Sequence, residues 1–89
     1  MKILAFLIPD DVRCVTQQLP ALRELHAETG IEMEMINPCE HPELAIKFDV
    51  PIVPTTVILN AHDEIHAVNH GYGSAKTLRR LLQSDASKT

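Results

Sequence analysis

Apolar residues in the first third of the chain follow two different patterns. Residues 3–8 (ILAFLI) are continuously apolar, which is typical of a central strand buried on both faces. Over residues 12–29 apolar side chains recur every three or four positions, which predicts an amphipathic helix capped by the acidic pair 10–11 and ended by Gly30. Pro20 lies within it, so we expect a kink. The predicted inner face consists of Val12, Val15, Leu19, Leu22 and His26.

The rest of the chain continues to alternate between strands and helices. Residues 31–36 (IEMEMI) alternate apolar and acidic positions, which predicts a strand near a sheet edge. A short helix is predicted over 42–48, a hairpin from the β-branched stretch 55–59 and from 65–69, and a last helix capped by Ser74. The order βαβαββα predicts an α/β sandwich with one four-stranded mixed sheet, whose first two strands are parallel.

This topology gathers three chemically distinctive residues. Cys14 follows the first strand and Cys39 follows the second. Because parallel strands end at the same edge of a sheet, and the antiparallel third strand begins there, Pro54 also lies at that edge. Open α/β sheets usually bind ligands at this position.

Composition and charge exclude several classes of partner. The 89 residues carry a net charge of -4, only 3% aromatic residues and no clustered basic face. We therefore expect neither nucleic-acid nor membrane binding. The N-terminal apolar run is too short for a secretory signal and is followed by Pro9, so we expect a cytoplasmic protein with reduced cysteines. We also expect a monomer. One domain over residues 1–84 and a flexible tail over 85–89 are predicted.

Residues 36–55 read INPCEHPELAIKFDVPIVPT. This stretch resembles, without a gap, the thioredoxin-family stretch VDVDENPELAKKYGVRSIPT. Residues 19–25 (LPALREL) are similar to the kinked helix of that family, and Gly71 matches the glycine after its hairpin. The resemblance implies a thioredoxin-like three-layer sandwich.

The resemblance also implies a cis peptide bond between Val53 and Pro54. The Val53 amide and carbonyl would then bind an extended partner segment, with Asp11 and Arg13 also at this docking edge. From the residues alone, a trans proline opening an edge strand is the alternative.

The chain departs from the family where thioredoxins carry Trp-Cys-Gly-Pro-Cys, because it has no C-x-x-C motif. When the spacing of the family is counted back from Pro20, the two cysteine positions of the motif fall on Val12 and Val15. Counting forward from Phe6 puts them on Asp11 and Cys14. The buried acid of the family falls on Ala5 or on Phe6, so it is absent in either count.

Cys14 and Cys39 are the candidate catalytic residues. A thiolate at a helix N-terminus is stabilised by free N–H groups, and Arg13 adds positive charge, whereas Asp10 and Asp11 oppose it. Cys14 alone is a monothiol, so exchange needs a resolving thiol, for which Cys39 is the candidate. The alternative is two unlinked, partly buried thiols.

Histidines do not indicate a metal site. His62, His66 and His70 are four residues apart, but on a predicted hairpin such positions span about 13 Å, too far for one ion. Cys39 and His41 lack two further ligands of matching spacing. We expect no metal and no cofactor.

Two functional hypotheses remain. The first is a thioredoxin-like protein with a degenerate active site that takes part in thiol-disulfide chemistry through Cys14, with or without Cys39. The second is a non-catalytic thioredoxin-fold module that binds a protein or peptide beside Pro54.

Overall fold

The computed structural model describes residues 1–83, and its elements follow the predicted order. The strands are β1 (Lys2–Phe6), β2 (Glu32–Ile36), β3 (Thr55–Leu59) and β4 (Ile65–His70). The helices are α1 (Leu19–Thr29), α2 (Pro42–Lys47) and α3 (Ala75–Gln83), and a π-helical turn (Cys14–Gln18) precedes α1. The predicted tail 85–89 lies outside the described residues.

One mixed sheet organises the described chain in the strand order β2-β1-β3-β4. β1 is parallel to β2 and antiparallel to β3, and β3 pairs with β4 as an antiparallel hairpin. The apolar run therefore forms a central strand and the alternating run an edge strand. Both predictions are confirmed, as is the four-stranded mixed sheet of the α/β class.

Apolar side chains cover both faces of the sheet. On one face Ile3, Ala5 and Ile58 pack with buried leucines of α1 and α3. On the other face Phe6 and Val57 belong to a second cluster, against which Leu44 of α2 and Phe48 just after it pack. The molecule therefore has three layers, with α1 and α3 on one side of the sheet and α2 on the other.

The first helical segment differs from the prediction in the face that it buries. Helical backbone covers residues 12–29, but Val12 is 70% exposed and Val15 44% exposed, whereas Cys14 and Gln18 are buried. His26, also predicted to face inward, is exposed. For Val12 and Val15 the physical reason is the π turn, whose i to i+5 hydrogen bond widens one turn and changes which side chains face the sheet. His26 lies beyond that turn in α1, where Leu22 and Leu25 occupy the buried face instead.

Pro20 lies at the start of helix α1, and Gly30 lies at its end. Pro20 falls in the first turn of α1, directly after the π turn, so its missing N–H affects the junction with that turn and none of the bonds within α1. Gly30 adopts φ 68° and donates its N–H to the His26 carbonyl at 2.8 Å, which ends the helix as predicted. Among residues 1–83, no helix combines the length and apolar character that crossing a bilayer requires.

Candidate functional site

The end of β1 brings the candidate residues to one rim of the sheet. Phe6, the last residue of β1, pairs with Ile36 at the end of β2 and with Thr55 at the start of β3. The segments that carry Cys14 and Cys39 leave the sheet here, and Pro54 enters β3 here.

Asp11 caps the first helical segment. Its Oδ1 accepts hydrogen bonds from the backbone N–H groups of Arg13 at 2.9 Å and of Cys14 at 3.3 Å. The Arg13 side chain is 74% exposed, and its Nε lies 3.9 Å from the same Asp11 oxygen. The Arg13 guanidinium therefore lies near the Asp11 carboxylate. The N–H of Cys14 is already hydrogen-bonded to that carboxylate.

Cys14 is enclosed in the core. Its side chain is a free thiol, only 1% exposed, and it belongs to the apolar cluster between the sheet and helices α1 and α3. It also borders a cavity of about 320 Å³, called here the Cys14 cavity. Other residues that line the cavity include Leu7, Val15, Leu19, Met35, Asn37 and Glu40.

Cys39 lies in the turn that follows β2 and is a free, exposed thiol. The backbone N–H of Cys39 donates to the Asn37 side chain at 2.9 Å, and the N–H groups of Glu40 and His41 both donate to the Asn37 carbonyl at 3.0 Å. Cys39 does not line the Cys14 cavity, although its neighbours Asn37 and Glu40 do. The two thiols thus share one end of the sheet but differ sharply in exposure.

The Val53–Pro54 peptide bond is cis. Pro54 is buried, and its carbonyl accepts a hydrogen bond from the Gly71 N–H at 2.8 Å. Val53 is half-buried and packs against the cluster that contains Cys14. Within residues 1–83, the Val53 amide and carbonyl make no backbone hydrogen bond.

Gln18 is a structural residue of the site that the sequence did not indicate. Its side chain is fully buried, its Nε2 donates to the Gly73 carbonyl at 2.9 Å, and its Oε1 accepts from the Gly73 N–H at 2.8 Å. A Cβ at position 73 would stand 2.6 Å from Asn69 Nδ2 and 3.0 Å from Leu78 Cδ2, so any larger residue would have to displace these side chains. The helical segment after β1 is thereby tied to the loop after β4.

The π turn lies between Phe6 and Pro20, the two residues from which the missing motif was counted with a one-residue disagreement. Its defining bond runs from the Leu19 N–H to the Cys14 carbonyl, five residues back. Such a turn contains one residue more than an α-helical turn closed by an i to i+4 bond. Counting from Phe6 reaches Cys14 before this extra residue, and counting from Pro20 crosses it.

Solved structures resemble the chain along most of its length. A malarial protein covers 96% of this chain and 96% of its own at 22% identity, with a TM-score of 0.83. Thioredoxin-2 of the malaria parasite, described as a component of its protein secretion machinery, covers 92% of this chain and 80% of its own at 23% identity and TM-score 0.82. Thioredoxin 1 from Thermosipho africanus covers both chains fully at 25% identity and TM-score 0.76.

The chain has a thioredoxin-like fold. No protein-family model matches it, and no curated protein matches its sequence. The predicted resemblance is therefore confirmed at the level of the fold.

The thioredoxin-like fold places the histidines away from any shared centre. Across the described chain, no group of three or more His, Cys, Asp or Glu side chains is arranged to hold a metal ion. The ring Nε2 of His66 lies 3.1 Å from the Leu81 carbonyl, which attaches β4 to α3. His62 is exposed in the β3–β4 turn, and His70 is exposed at the end of β4.

Proposed function

We propose that this thioredoxin-like protein binds an extended segment of a partner protein beside Pro54 and does not itself perform dithiol exchange. The observation that carries the proposal is the burial of Cys14, which is 1% exposed. Exchange begins when a thiolate attacks a disulfide sulfur of the partner, so an enclosed sulfur is a poor attacking group.

Asp11 supports the same conclusion. Counted from Phe6, Asp11 and Cys14 have the spacing of the two cysteines of a thioredoxin motif, and the π turn explains why the count from Pro20 differs. Asp11 accepts two backbone N–H groups at the start of the helical segment. Its carboxylate can accept hydrogen bonds there but cannot form a mixed disulfide.

The positions that match the family's buried acid also carry no proton acceptor for a resolving thiol. The family's buried acid falls on Ala5 or Phe6, and both residues are fully buried apolar side chains here. Thr56, opposite Ala5 across the sheet, has a buried hydroxyl without a hydrogen-bond partner among residues 1–83. A hydroxyl is a much weaker base than a carboxylate, so it does not replace the missing acid.

The docking edge beside Pro54 carries unpaired backbone groups that an extended partner segment can bind. The Val53 amide and carbonyl make no backbone hydrogen bond within the described chain, so an extended segment can pair with them as a strand does. Ile52 and Tyr72 are 51% and 54% exposed. The Cδ1 of Ile52 lies 3.9 Å from where a Cβ of Gly71 would stand. This apolar surface suits side chains of an unfolded or extended partner.

Binding is tested by NMR titration with reduced, carboxymethylated α-lactalbumin, an unfolded polypeptide without free thiols. We expect saturable shifts of the Val53 and Gly71 amide signals. Ile52→Asp should weaken binding by at least about fivefold, whereas Ile46→Asp, at an 81% exposed position on α2, should leave it unchanged. Absent shifts, or equal losses in both variants, would contradict the proposal.

Thiol-disulfide chemistry through Cys14 is the second candidate function. It is favoured by the contact of Cys14 with an open cavity and by the exposed Cys39 in the adjoining turn. Insulin reduction by dithiothreitol separates the candidates. Rates equal to those of dithiothreitol alone support the binding module, and acceleration that Cys14→Ser abolishes supports exchange. A monomer lighter by two hydrogens after mild oxidation would add Cys39 as the partner thiol.

A further inference from the structure

We propose that the Cys14 cavity is a binding site for a small aliphatic amine, separate from the docking edge beside Pro54. The cavity lies between the carboxyl ends of β1 and β2 and has a volume of about 320 Å³. That volume is at the lower end of the range found for small-molecule sites. A ligand of roughly hexylamine size therefore suits it.

The position of the cavity in the fold is one that open α/β sheets use for ligands. From β1 the chain passes to α1 on one face of the sheet, and from β2 it passes to α2 on the opposite face. The two connections diverge and leave a crevice between neighbouring strand ends. The residues that line the cavity come from both connections.

The inner walls favour an aliphatic group. Leu7 and Cys14 are buried, and Val15, Leu19 and Met35 contribute further apolar surface. Met35 is 49% exposed although it lies on a strand, because β2 is an edge strand and the cavity leaves its side chain partly uncovered. Covering this surface with a hydrocarbon chain removes it from water.

The mouth of the cavity favours a positive charge. Glu40 is exposed, lines the cavity and forms no ion pair within residues 1–83. Arg13 is the only Lys or Arg in the stretches 7–19 and 34–40, and its guanidinium lies near Asp11. A cationic group at the mouth would meet an unpaired carboxylate, whereas an anionic group would be repelled.

The arrangement of charge and apolar surface indicates a free amine rather than a lysine side chain. Cys14, which is 1% exposed, lines the buried part of the cavity, and Glu40, which is exposed, belongs to the part that borders solvent. A free alkylamine can enter with its hydrocarbon end first and leave its ammonium group beside Glu40. A lysine side chain enters with its ammonium first, which would place the charge against the apolar floor.

The test is an NMR titration of the full chain with hexylammonium, hexanoate and Nα-acetyl-lysinamide. We expect hexylammonium to shift the amide signals of Val15, Met35 and Asn37 saturably, with hexanoate producing no saturable shift. Shifts of equal size from hexylammonium and hexanoate, no saturable shifts, or shifts confined to the Pro54 edge would overturn the proposal. Tighter binding of Nα-acetyl-lysinamide would overturn the assignment to a free amine.

Two pairs of variants separate the charge from the cavity. Glu40→Gln should weaken hexylammonium binding by up to about fivefold, and Glu43→Gln, which removes a carboxylate outside the cavity lining, should not. Val15→Phe should abolish binding by filling the cavity, whereas Val12→Phe, at an exposed position outside it, should not. Equal effects within either pair would contradict the assignment, and the wild-type amide spectrum checks that each variant is folded.

Discussion

Replacing Gln18 by methionine should destabilise the protein far more than its conservative shape suggests. The substitution keeps an unbranched chain of similar length but removes both hydrogen bonds to Gly73, at 2.9 and 2.8 Å. Gly73 is buried, so its N–H and C=O lose their partners away from water. Each unsatisfied buried group costs about 1–3 kcal/mol. The apolar methionine offsets part of this cost, and we expect a net loss of about 2–4 kcal/mol.

Urea unfolding followed by far-UV circular dichroism measures this loss, because the chain has no tryptophan to report by fluorescence. With a urea slope of about 1–2 kcal/mol/M, the unfolding midpoint should fall by at least about 1 M. Gln17→Met is the matched control, since Gln17 is the exposed neighbouring residue, and it should change stability by less than about 0.5 kcal/mol. A Gln18→Met loss below about 1 kcal/mol would refute the reasoning, because Gly73 would then find other partners.

Three further predictions concern the helix start and two surface ion pairs. Asp11→Cys should form an intramolecular disulfide with Cys14 when the chain is refolded from denaturant under oxidised glutathione, detected as a mass loss of two hydrogens, because in the folded chain the Asp11 side chain already reaches the Cys14 backbone. Arg79→Ala should lower the free energy of unfolding by no more than about 1 kcal/mol, since its ion pair with Glu28 is exposed. The hydrogen bond to Glu34 raises the pKa of Lys2 above 10.5. The wild-type chain should therefore have a larger free energy of unfolding than Lys2→Met below pH 10.5, and this difference should disappear as the pH rises further.

Each of these predictions has an outcome that would contradict it. A cysteine at position 12 is the control for the disulfide, because helical positions two apart do not face each other. A disulfide formed equally well from position 12 would place the helix start elsewhere. A large loss on removing Arg79 would mean that the α1–α3 contact depends on that ion pair. A stability difference at Lys2 that does not change across alkaline pH would indicate that apolar packing, rather than charge, stabilises this position.

The sheet could be predicted from the sequence because hydrophobic pattern determines the burial of strands. β1 is continuously apolar because it is a central strand with both faces covered, whereas β2 alternates because it is an edge strand. Local signals also identified the helix ends, with Gly30 ending α1 and Ser74 accepting the Thr77 N–H at 3.1 Å at the start of α3. These features depend on residues close together in the chain.

The candidate site could be predicted only in part, because one wide helical turn changes which residues face inward. A period of 3.6 residues predicted that Val12 and Val15 are buried, but the π turn exposes both and buries Cys14 and Gln18. No local pattern marks such a turn. The disagreement by one residue between counting from Phe6 and from Pro20 was the available signal of an extra residue. The pairing of Gln18 with Gly73, 55 residues away, depends on tertiary packing.

The reactivity of the two thiols in the native protein tests the central claim most directly. Ellman's reagent is added to the folded chain and to Cys14→Ser and Cys39→Ser, with and without denaturant. We predict that Cys39 reacts within the mixing phase and that Cys14 reacts only on unfolding, because Cys14 is 1% exposed whereas Cys39 is exposed. Reaction of native Cys14 as fast as that of Cys39 would contradict a non-catalytic site and restore thiol exchange as the leading function.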